Sequence, residues 1–344
     1  MRAVVITKHG PPEVLQVQER PDPSVGPGQV RIAVKAAGIN FADTMARAGT
    51  YPDAPPVPCV VGYEVAGEVE SVGDGVEGHS VGDRVVAGTE FNGHAELVTV
   101  PADQALPLPK KLSFEEGAAF PVNYGTAYAA LVIMGGLAEG ERALIHAAAG
   151  GVGIAATQIA KLRGAEIFGT ASASKHDAIA EQGVDHAIDY RNQDFAAEVM
   201  RITNGEGVDV IMDAIGPSSF RKDYRILRPG GRLIMYGVSE IQTGEGRDLK
   251  AVAKAVARMP RATMPWWKSV AVMNENKGVF GLNMLSWWQQ EGGLDRVIEP
   301  LQADLEAGRL KPVVSEAFPF DRAAEAHRFI SDRKNVGKVV LVPN

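Results

Sequence analysis

Short apolar runs separated by proline and glycine fill the first 107 residues of the chain. Runs at 3–6, 30–34 and 84–87 have the length of strands and are too short for helices. Eight glycines between Gly62 and Gly93 supply turns between such runs. This spacing predicts a barrel-like β domain at the start of the chain.

From about residue 140 the pattern changes to continuous apolar strands that alternate with helical stretches. A strand that is apolar at every position is buried on both faces, and helices between such strands indicate a parallel, doubly wound sheet. Strands of this kind are predicted at 143–146, 166–168, 188–190, 208–212 and 232–236. The second half is therefore predicted to be an α/β domain of the dinucleotide-binding type.

After Phe280 the pattern predicts two helices and a closing strand at 338–342. The first helix has apolar residues at helical spacing, and the second begins after Asp321. The apolar positions of the first helix are Val297, Ile298, Leu301 and Leu305. We expect these elements to return to the first domain. The predicted domain segments are 1–124, 125–282 and 283–344, the third completing the first.

Composition narrows the function classes. The 344 residues carry a net charge of −7, which argues against nucleic-acid binding through average charge. The single cysteine, Cys59, excludes an intramolecular disulfide and a four-thiolate zinc site, and it fits a reducing compartment. No apolar run reaches 18 residues, and the N-terminus lacks the apolar region of a signal peptide. We expect a soluble, cytoplasmic protein.

A glycine-rich turn, AAAGGVG at 147–153, stands between a predicted strand and a predicted helix. This is the context in which glycines let a pyrophosphate approach the backbone, while the helix N-terminus offers N–H donors. The spacing is A-x-x-G-x-x-G rather than G-x-G-x-x-G, and the alternative is a turn without a ligand. The predicted cofactor contacts in this turn are Ala149, Gly150, Gly151, Val152 and Gly153.

The end of the second strand of this domain distinguishes between nicotinamide cofactors. NAD sites usually place an acid there, about 20 residues after the first glycine, to bind the ribose hydroxyl. Residues 168–175 read FGTASASK and contain no acid. Hydroxyls and an ammonium suit a 2′-phosphate, so we infer NADPH. The predicted contacts are Thr170, Ser172, Ser174, Lys175 and Tyr190; the alternative for Lys175 is a solvated lysine that opens a helix.

Several further stretches carry a family resemblance. Together with the glycine-rich turn, AGINFAD at 37–43 and GYEVAG at 62–67 resemble the medium-chain dehydrogenase/reductase superfamily, in its zinc-independent quinone oxidoreductase branch. Within that branch the chain is most similar to the vesicle amine transport protein subgroup, through NFADTMAR at 40–47, FPVNYGTAY at 120–128 and FGTASASKH at 168–176. The resemblance covers nearly the whole chain. It implies a GroES-like catalytic domain formed by both chain ends, a Rossmann domain between them, and often a homodimer.

The resemblance also bears on metal dependence. Zinc members carry a cysteine where this chain has Asn40 and Gly-His-Glu where it has Gly62, Tyr63 and Glu64, so two ligand positions lack a good zinc donor. His94 and His146 are isolated in the sequence and more typical of packed histidines. We predict no metal. Without a Lewis acid the hydride acceptor must itself be activated, which favours quinones and conjugated enones.

The resemblance implies catalytic residues as well. Asn40 and Thr126 match positions near the nicotinamide, and Tyr51 matches an active-site tyrosine that donates a proton in related enoyl reductases. The alternatives are loop capping for Asn40 and Thr126, and packing on a proline-rich loop for Tyr51. Further cofactor contacts are expected at the carboxyl ends of later strands and in the closing motif. They are Asp213, Ile215, Gly216, Tyr236, Gly237, Val238, Phe280, Gly281, Leu282, Asn335 and Lys338; the alternative for the last two is a turn before the final strand.

A basic segment at 247–268 departs from the acidic average, with six basic residues and one acid. Its apolar and basic residues occupy different faces of a helical wheel, as in a helix that lies on an anionic membrane. The alternative is a cofactor-domain helix or a lid with a buried apolar face. The sequence thus predicts a zinc-independent NADPH-dependent oxidoreductase that acts on a quinone or enone. The alternatives are an acyl-thioester enoyl reductase, and a peripheral membrane or lipid-binding protein that retains the fold.

Overall fold

The computed structural model describes residues 1–241 and 269–344. The described chain forms two compact units. The first comprises residues 1–123 and 288–344, and the second comprises residues 124–241 and 269–287. The amphipathic segment 247–268 predicted from the sequence lies outside the described residues.

The described elements follow the two predicted patterns. The strands are β1 (Arg2–Ile6), β2 (Leu15–Glu19), β3 (Gln29–Ile39), β4 (Cys59–Val60), β5 (Glu64–Val72), β6 (Arg84–Gly88), β7 (Leu97–Pro101), β8 (Ala105–Pro107), β9 (Arg142–Ile145), β10 (Glu166–Ala171), β11 (His186–Asp189), β12 (Val208–Asp213), β13 (Leu227–Met235), β14 (Gly278–Gly281), β15 (Val314–Pro319) and β16 (Lys338–Val342). The helices are α1 (Phe41–Ala48), α2 (Phe114–Gly117), α3 (Pro121–Tyr128), α4 (Gly151–Leu162), α5 (His176–Gln182), α6 (Phe195–Ile202), α7 (Phe220–Ile226), α8 (Ser269–Glu275), α9 (Met284–Glu291), α10 (Asp295–Ala307) and α11 (Ala323–Ser331).

The first unit is built on a seven-stranded sheet. Its strand order is β15-β16-β3-β5-β6-β8, and β7 pairs with β3. Alternate residues of β3, such as Val30 and Ile32, are fully buried in one hydrophobic cluster. The closing strand β16 runs antiparallel to β3, with Val340 opposite Gly38. The C-terminal segment therefore packs into the same sheet as the N-terminal strands. A second sheet of this unit has the order β2-β1-β4.

The second unit contains a six-stranded parallel sheet with the order β11-β10-β9-β12-β13-β14. Ala143, Leu144 and Ile145 of β9 have no exposed surface, as expected for a central strand covered on both faces. The chain passes from β9 to β10 on one side and later to β12 on the other. The carboxyl end of β9 is therefore a topological switch point, where doubly wound folds bind ligands. The predicted fold class is confirmed.

One strand of this sheet begins earlier than predicted. β13 starts at Leu227 rather than near residue 232, although the intervening Pro229 and Gly230 are typical of turns. A register shift between Val208 and Val210 of β12 accommodates the extra residues. β13 ends at Met235, one residue before the predicted limit. None of the helices in residues 1–241 and 269–344 has both the length and the apolar character needed to cross a bilayer.

Candidate active site

The glycine-rich turn joins β9 directly to α4. Ala147 has a φ of 52°, which begins the turn, and Gly150 precedes the first turn of α4 in an extended conformation. A Cβ on Gly153 would lie 2.4 Å from the carbonyl oxygen of Ala147, so a larger residue would displace the backbone. The first N–H groups of a helix have no acceptor within it. The turn therefore offers glycine-lined backbone donors at the switch point.

Hydroxyl groups cluster where β10 ends. Ser172 is buried and lies directly after the strand, and its Oγ is 3.3 Å from Oγ of exposed Ser174. Lys175 ends the short 3-10 turn Ala173–Lys175 that leads into α5. The hydroxyl of Thr170, in contrast, lies 3.0 Å from Nδ1 of His146. Tyr190 follows the neighbouring β11 and is 37% exposed.

The later strands place the remaining predicted contacts of this unit at the same edge of the sheet. Asp213 ends β12, and its Oδ1 accepts N–H groups from Ile215 at 2.5 Å and Gly216 at 3.1 Å. The carboxylate thus holds the loop that follows its strand. At or after the ends of β12, β13 and β14 lie Asp213, Ile215, Gly216, Tyr236, Gly237, Val238, Phe280, Gly281 and Leu282. Thr126 lies on α3 and is 6% exposed.

In the first unit, Asn40 contacts both members of a buried ion pair, Lys338 and Glu64. The ammonium of Lys338 lies 2.6 Å from Asn40 Oδ1 and 2.5 Å from Glu64 Oε1. Asn40 Nδ2 donates to the same Glu64 oxygen at 3.1 Å, and the backbone N–H of Val122 donates to Glu64 Oε2 at 2.8 Å. Lys338 and Glu64 are almost completely buried. These contacts orient the Asn40 amide, with Oδ1 accepting from Lys338 and Nδ2 donating to Glu64.

Two positions of this cluster were missed by the sequence interpretation. Glu64 was considered only as part of a family motif, and Asp43 was not assigned a role. Asp43 is fully buried, and it accepts N–H groups from Asn40 at 2.7 Å and Gly62 at 3.0 Å. Burial raises the pKa of Asp43, although His94, with Nε2 at 3.9 Å, opposes that shift. The available signal was an acid beside apolar residues, Glu64 at the start of the apolar strand β5 and Asp43 in the first turn of α1.

Tyr51 packs against a second tyrosine. Its ring lies edge-on to Tyr63 with centroids 6.4 Å apart, and Tyr63 in turn lies 5.4 Å from Phe91. Burial raises the pKa of Tyr51 to about 12, with Asp53 adding to the effect. The phenol therefore keeps its proton at neutral pH and can donate it. Burial also raises the pKa of Tyr63.

The two predicted residues of the closing motif, Asn335 and Lys338, make different contacts. The amide of Asn335 donates to the carbonyl of Gly337 at 2.9 Å, which is the turn contact weighed as an alternative. Lys338 instead begins β16 and reaches Asn40. Of the predicted site residues, the first unit holds Asn40, Tyr51, Asn335 and Lys338, and the second unit holds Thr126 and the strand-end residues.

Comparisons with known proteins agree with this architecture. Residues 26–110 match the alcohol dehydrogenase GroES-like domain, and residues 182–341 match the family described as zinc-binding dehydrogenase. The chain belongs to the medium-chain dehydrogenase/reductase superfamily of oxidoreductases. Within it the chain groups with the VAT-1 homologs. The rat synaptic vesicle membrane protein VAT-1 homolog is 39% identical over 351 residues, which cover 100% of this chain and 84% of that protein.

Solved structures of similar shape include several reductases. The CurK enoyl reductase has a TM-score of 0.85 and 30% identity, with 100% and 99% of the two chains covered. A quinone oxidoreductase from Pseudomonas syringae has a TM-score of 0.83 and 30% identity, with 99% of each chain covered. Mycobacterial Rv1454c complexed with NADPH has a TM-score of 0.84 and 29% identity, with 100% of each chain covered. The predicted family is confirmed.

The similarity to the zinc-binding dehydrogenase family raises the question of a catalytic zinc. In this chain Asn40 and Glu64 already accept hydrogen bonds from the ammonium of Lys338, so a cation occupies the place between their oxygens. Tyr63 offers a buried phenol whose raised pKa opposes the deprotonation that metal binding favours. A zinc ion does not fit this set of donors.

Proposed function

We propose that the chain is a zinc-independent, NADPH-dependent oxidoreductase that transfers hydride to a quinone or a conjugated enone. The observation that carries this proposal is the buried Lys338–Glu64–Asn40 cluster. In it the ammonium of Lys338, and not a metal ion, is the cation between Glu64 and Asn40, and it holds the Asn40 amide in place as a hydrogen-bond donor. A substrate that is already activated needs only positioning and stabilisation of the developing oxyanion.

In this proposal the second unit holds the cofactor. The turn at 149–153 binds the pyrophosphate through backbone N–H groups and the N-terminus of α4. Ser172, Ser174 and Lys175 bind the 2′-phosphate, for which hydroxyls and an ammonium are suitable donors. NADPH, when bound, supplies the hydride. The fit of a dinucleotide rests on the close approach at Gly153, where a Cβ would fill the turn.

The first unit provides the groups that act on the substrate. Asn40 Nδ2 has a second N–H beside the one given to Glu64, and it can donate to a substrate oxygen or to the nicotinamide carboxamide. The hydroxyl of Thr126 serves the same purpose. Tyr51 donates a proton to an enone after hydride transfer, whereas a reduced quinone protonates readily from water. These roles divide the reaction between orientation and proton supply.

The proposal is tested by NADPH consumption with a simple quinone, with a conjugated enone and without an acceptor. We expect oxidation that depends on the acceptor, with the quinone supporting turnover without help from Tyr51. Tight NADPH binding with no turnover of either acceptor would contradict the proposal. That result would favour a binding protein that retains the fold.

An acyl-thioester enoyl reductase is the second candidate. The similarity to the CurK enoyl reductase and the protonated state of Tyr51 favour it. An assay with an enoyl thioester beside a simple enone separates the two. A strong preference for the thioester would move the assignment to this candidate.

The first prediction concerns cofactor choice. Lys175→Ala should raise KM for NADPH by about tenfold or more and change KM for NADH little, because a charge-assisted contact to the 2′-phosphate is lost. Steady-state kinetics with both cofactors measures this. Lys161→Ala, an exposed lysine of α4, is the matched control and should change neither constant. Equal effects of Lys175→Ala on both cofactors would contradict the assignment.

A second prediction concerns the basic segment 247–268. If it is a helix of the cofactor domain or a lid, the protein should not float with phosphatidylserine liposomes at low or physiological salt. Binding at low salt that weakens at physiological salt would instead support the lipid-binding alternative, since screening reduces such attraction. The VAT-1 relatives are named after synaptic vesicle membranes, which favours a test with lipid vesicles.

We also propose a homodimer, as the superfamily resemblance implies. Light scattering of the purified protein should then give about twice the chain mass of 36.5 kDa. A mass equal to one chain at micromolar concentration would contradict it.

A further inference from the structure

A buried polar cluster lies beneath the dinucleotide turn of the second unit. His146 directly follows β9 and has no exposed surface. Its Nε2 is 2.9 Å from Asp223 Oδ1 on α7, and its Nδ1 is 3.0 Å from Thr170 Oγ1 on β10. The ring of Phe195 packs edge-on against the imidazole with centroids 4.7 Å apart. Both ring nitrogens are thus engaged and the ring orientation is fixed.

Asp213 completes the cluster from the other side of β9. One oxygen or nitrogen each from His146, Asp213 and Asp223 lie within 4.8 Å of one another. Asp213 also accepts a hydrogen bond from the hydroxyl of Ser219, in addition to the two backbone N–H groups of its loop. Asp223 Oδ2 is buried and has no hydrogen-bond partner within the described part of the chain. The cluster therefore connects β9, β10, β12 and α7.

Burial and neighbouring charges shift the pKa values of two members of the cluster, His146 and Asp213. Complete burial alone would lower the pKa of His146, but the neighbouring Asp223 and Asp213 carboxylates raise it above its usual value. Burial, with a contribution from Asp223, raises the pKa of Asp213 to about 8. The imidazole bonds Asp223 through Nε2 and Thr170 through Nδ1, and both contacts can form whether the ring is neutral or protonated. The ring therefore holds Thr170 of β10 and Asp223 of α7 at a fixed separation, and Ser219, at the start of α7, bonds Asp213 and so ties the loop 213–216 to the same helix.

Thr170 and the loop 213–216 both border the proposed cofactor site. Thr170 precedes the hydroxyls and lysine assigned to the 2′-phosphate, and Asp213 holds the loop 213–216 at the next strand end. β10 and β12 flank β9, whose carboxyl end is the switch point. A buried ion pair is a weak source of stability, since apolar residues of similar volume often serve as well. Its position at this edge points to a role in binding.

We propose that His146 and Asp223 are positioning residues for the dinucleotide, which hold Thr170 and the loop 213–216 at the separation that the bound cofactor requires. The proposal rests on the proposed function for the identity of the cofactor. A cation is a less suitable explanation of the cluster, because the oxygens of Asp213 already accept three hydrogen bonds and His146 bonds Asp223 directly.

The test compares His146→Asn and Asp223→Asn with the wild-type protein. We expect the Kd and KM for NADPH to rise about tenfold or more, as for loss of a charge-assisted hydrogen bond, with kcat for the quinone changed less than about threefold. The matched control is His186→Asn. His186 pairs with Glu166 at 2.8 Å, but both residues begin their strands and so lie at the opposite edge of the same sheet. This control should bind NADPH normally.

A double variant separates positioning from stability. His146→Leu with Asp223→Leu removes both polar groups, and it should recover thermal stability relative to the single variants because neither member of the His146–Asp223 pair is left buried without the other. If the cluster only stabilises the fold, the double variant should also recover NADPH affinity. We expect the affinity to stay low.

The possible results distinguish the positioning role from a cation site and from failure of the proposed function. Normal NADPH affinity in both single variants, or recovered affinity in the double variant, would overturn the positioning role. Loss of wild-type NADPH affinity on treatment with EDTA, reversed by a divalent metal, would overturn it in favour of a cation site. A wild-type protein that binds no NADPH would overturn the proposed function and this inference together. Weakened NADPH binding in the variants would support the inference even if the wild-type protein reduced no quinone.

Discussion

Lys338→Met should lower the free energy of unfolding by about 3–5 kcal/mol at neutral pH, the range for breaking a buried ion pair by removing one partner. The ammonium of Lys338 is the cation beside the Glu64 carboxylate, and both side chains are almost completely buried. Without it, the hydrogen-bond donors that the described part of the chain leaves to Glu64 are the N–H groups of Asn40 and Val122. Denaturant unfolding followed by tryptophan fluorescence measures the loss.

A double variant that also changes Glu64 provides the control. Lys338→Met combined with Glu64→Gln leaves no buried charge in the pair, so most of the stability should return. Reductase activity should remain low in both proteins, because the contacts that orient the amide of Asn40 are gone. A single variant as stable as the wild type would show that the pair is not closed in solution.

The fold followed from the sequence because its signals are local. Continuous apolar runs and the turn before α4 lie within short windows, and they placed the parallel sheet and its switch point. The strand limits were less well defined where Pro229 and Gly230 continue a strand through a bulge. That feature depends on the partner strand, which a local pattern does not contain.

The candidate site was harder to predict because its contacts are distant in sequence. Lys338 and Asn40 are 298 residues apart, and His146 and Asp223 are 77 apart. Motif matching located Asn40 and Lys338 separately, but it gave no indication that Glu64 joins them. Asp223 stands among basic residues of α7, where a surface position is the ordinary interpretation. Burial alone distinguishes it, and burial is a property of the folded chain.

In the proposed reaction the second unit binds the cofactor and the first unit acts on the substrate. The groups proposed for NADPH lie along one sheet edge of the second unit, where backbone geometry sets their positions. In the first unit, Asn40 is oriented by a lysine and two buried acids rather than by a metal. Such a site can orient a substrate and stabilise charge but does not supply a strong Lewis acid. It therefore suits acceptors that are reactive before they bind.

Tyr51→Phe should slow reduction of a conjugated enone by about a hundredfold or more, in the range for loss of a general acid, while quinone reduction changes little. An enone requires a proton to complete its reduction, whereas a reduced quinone takes protons from water. NADPH affinity should be unchanged because Tyr51 is not among the residues assigned to the cofactor. Tyr63→Phe is the control for packing: it keeps the aromatic contacts with Tyr51 and Phe91 and removes a hydroxyl that interacts with Tyr51, so the enone rate should fall far less than in Tyr51→Phe.

The pH profile adds an independent check on the same residue. Burial raises the pKa of Tyr51 to about 12, so the enone rate should not fall on deprotonation of this group up to about pH 10. A free tyrosine, with a pKa near 10, would be half deprotonated there. A decline centred near pH 10 that disappears in Tyr51→Phe would show that the phenol is solvated. Unchanged enone turnover in Tyr51→Phe would remove this residue from the mechanism and leave water as the proton source.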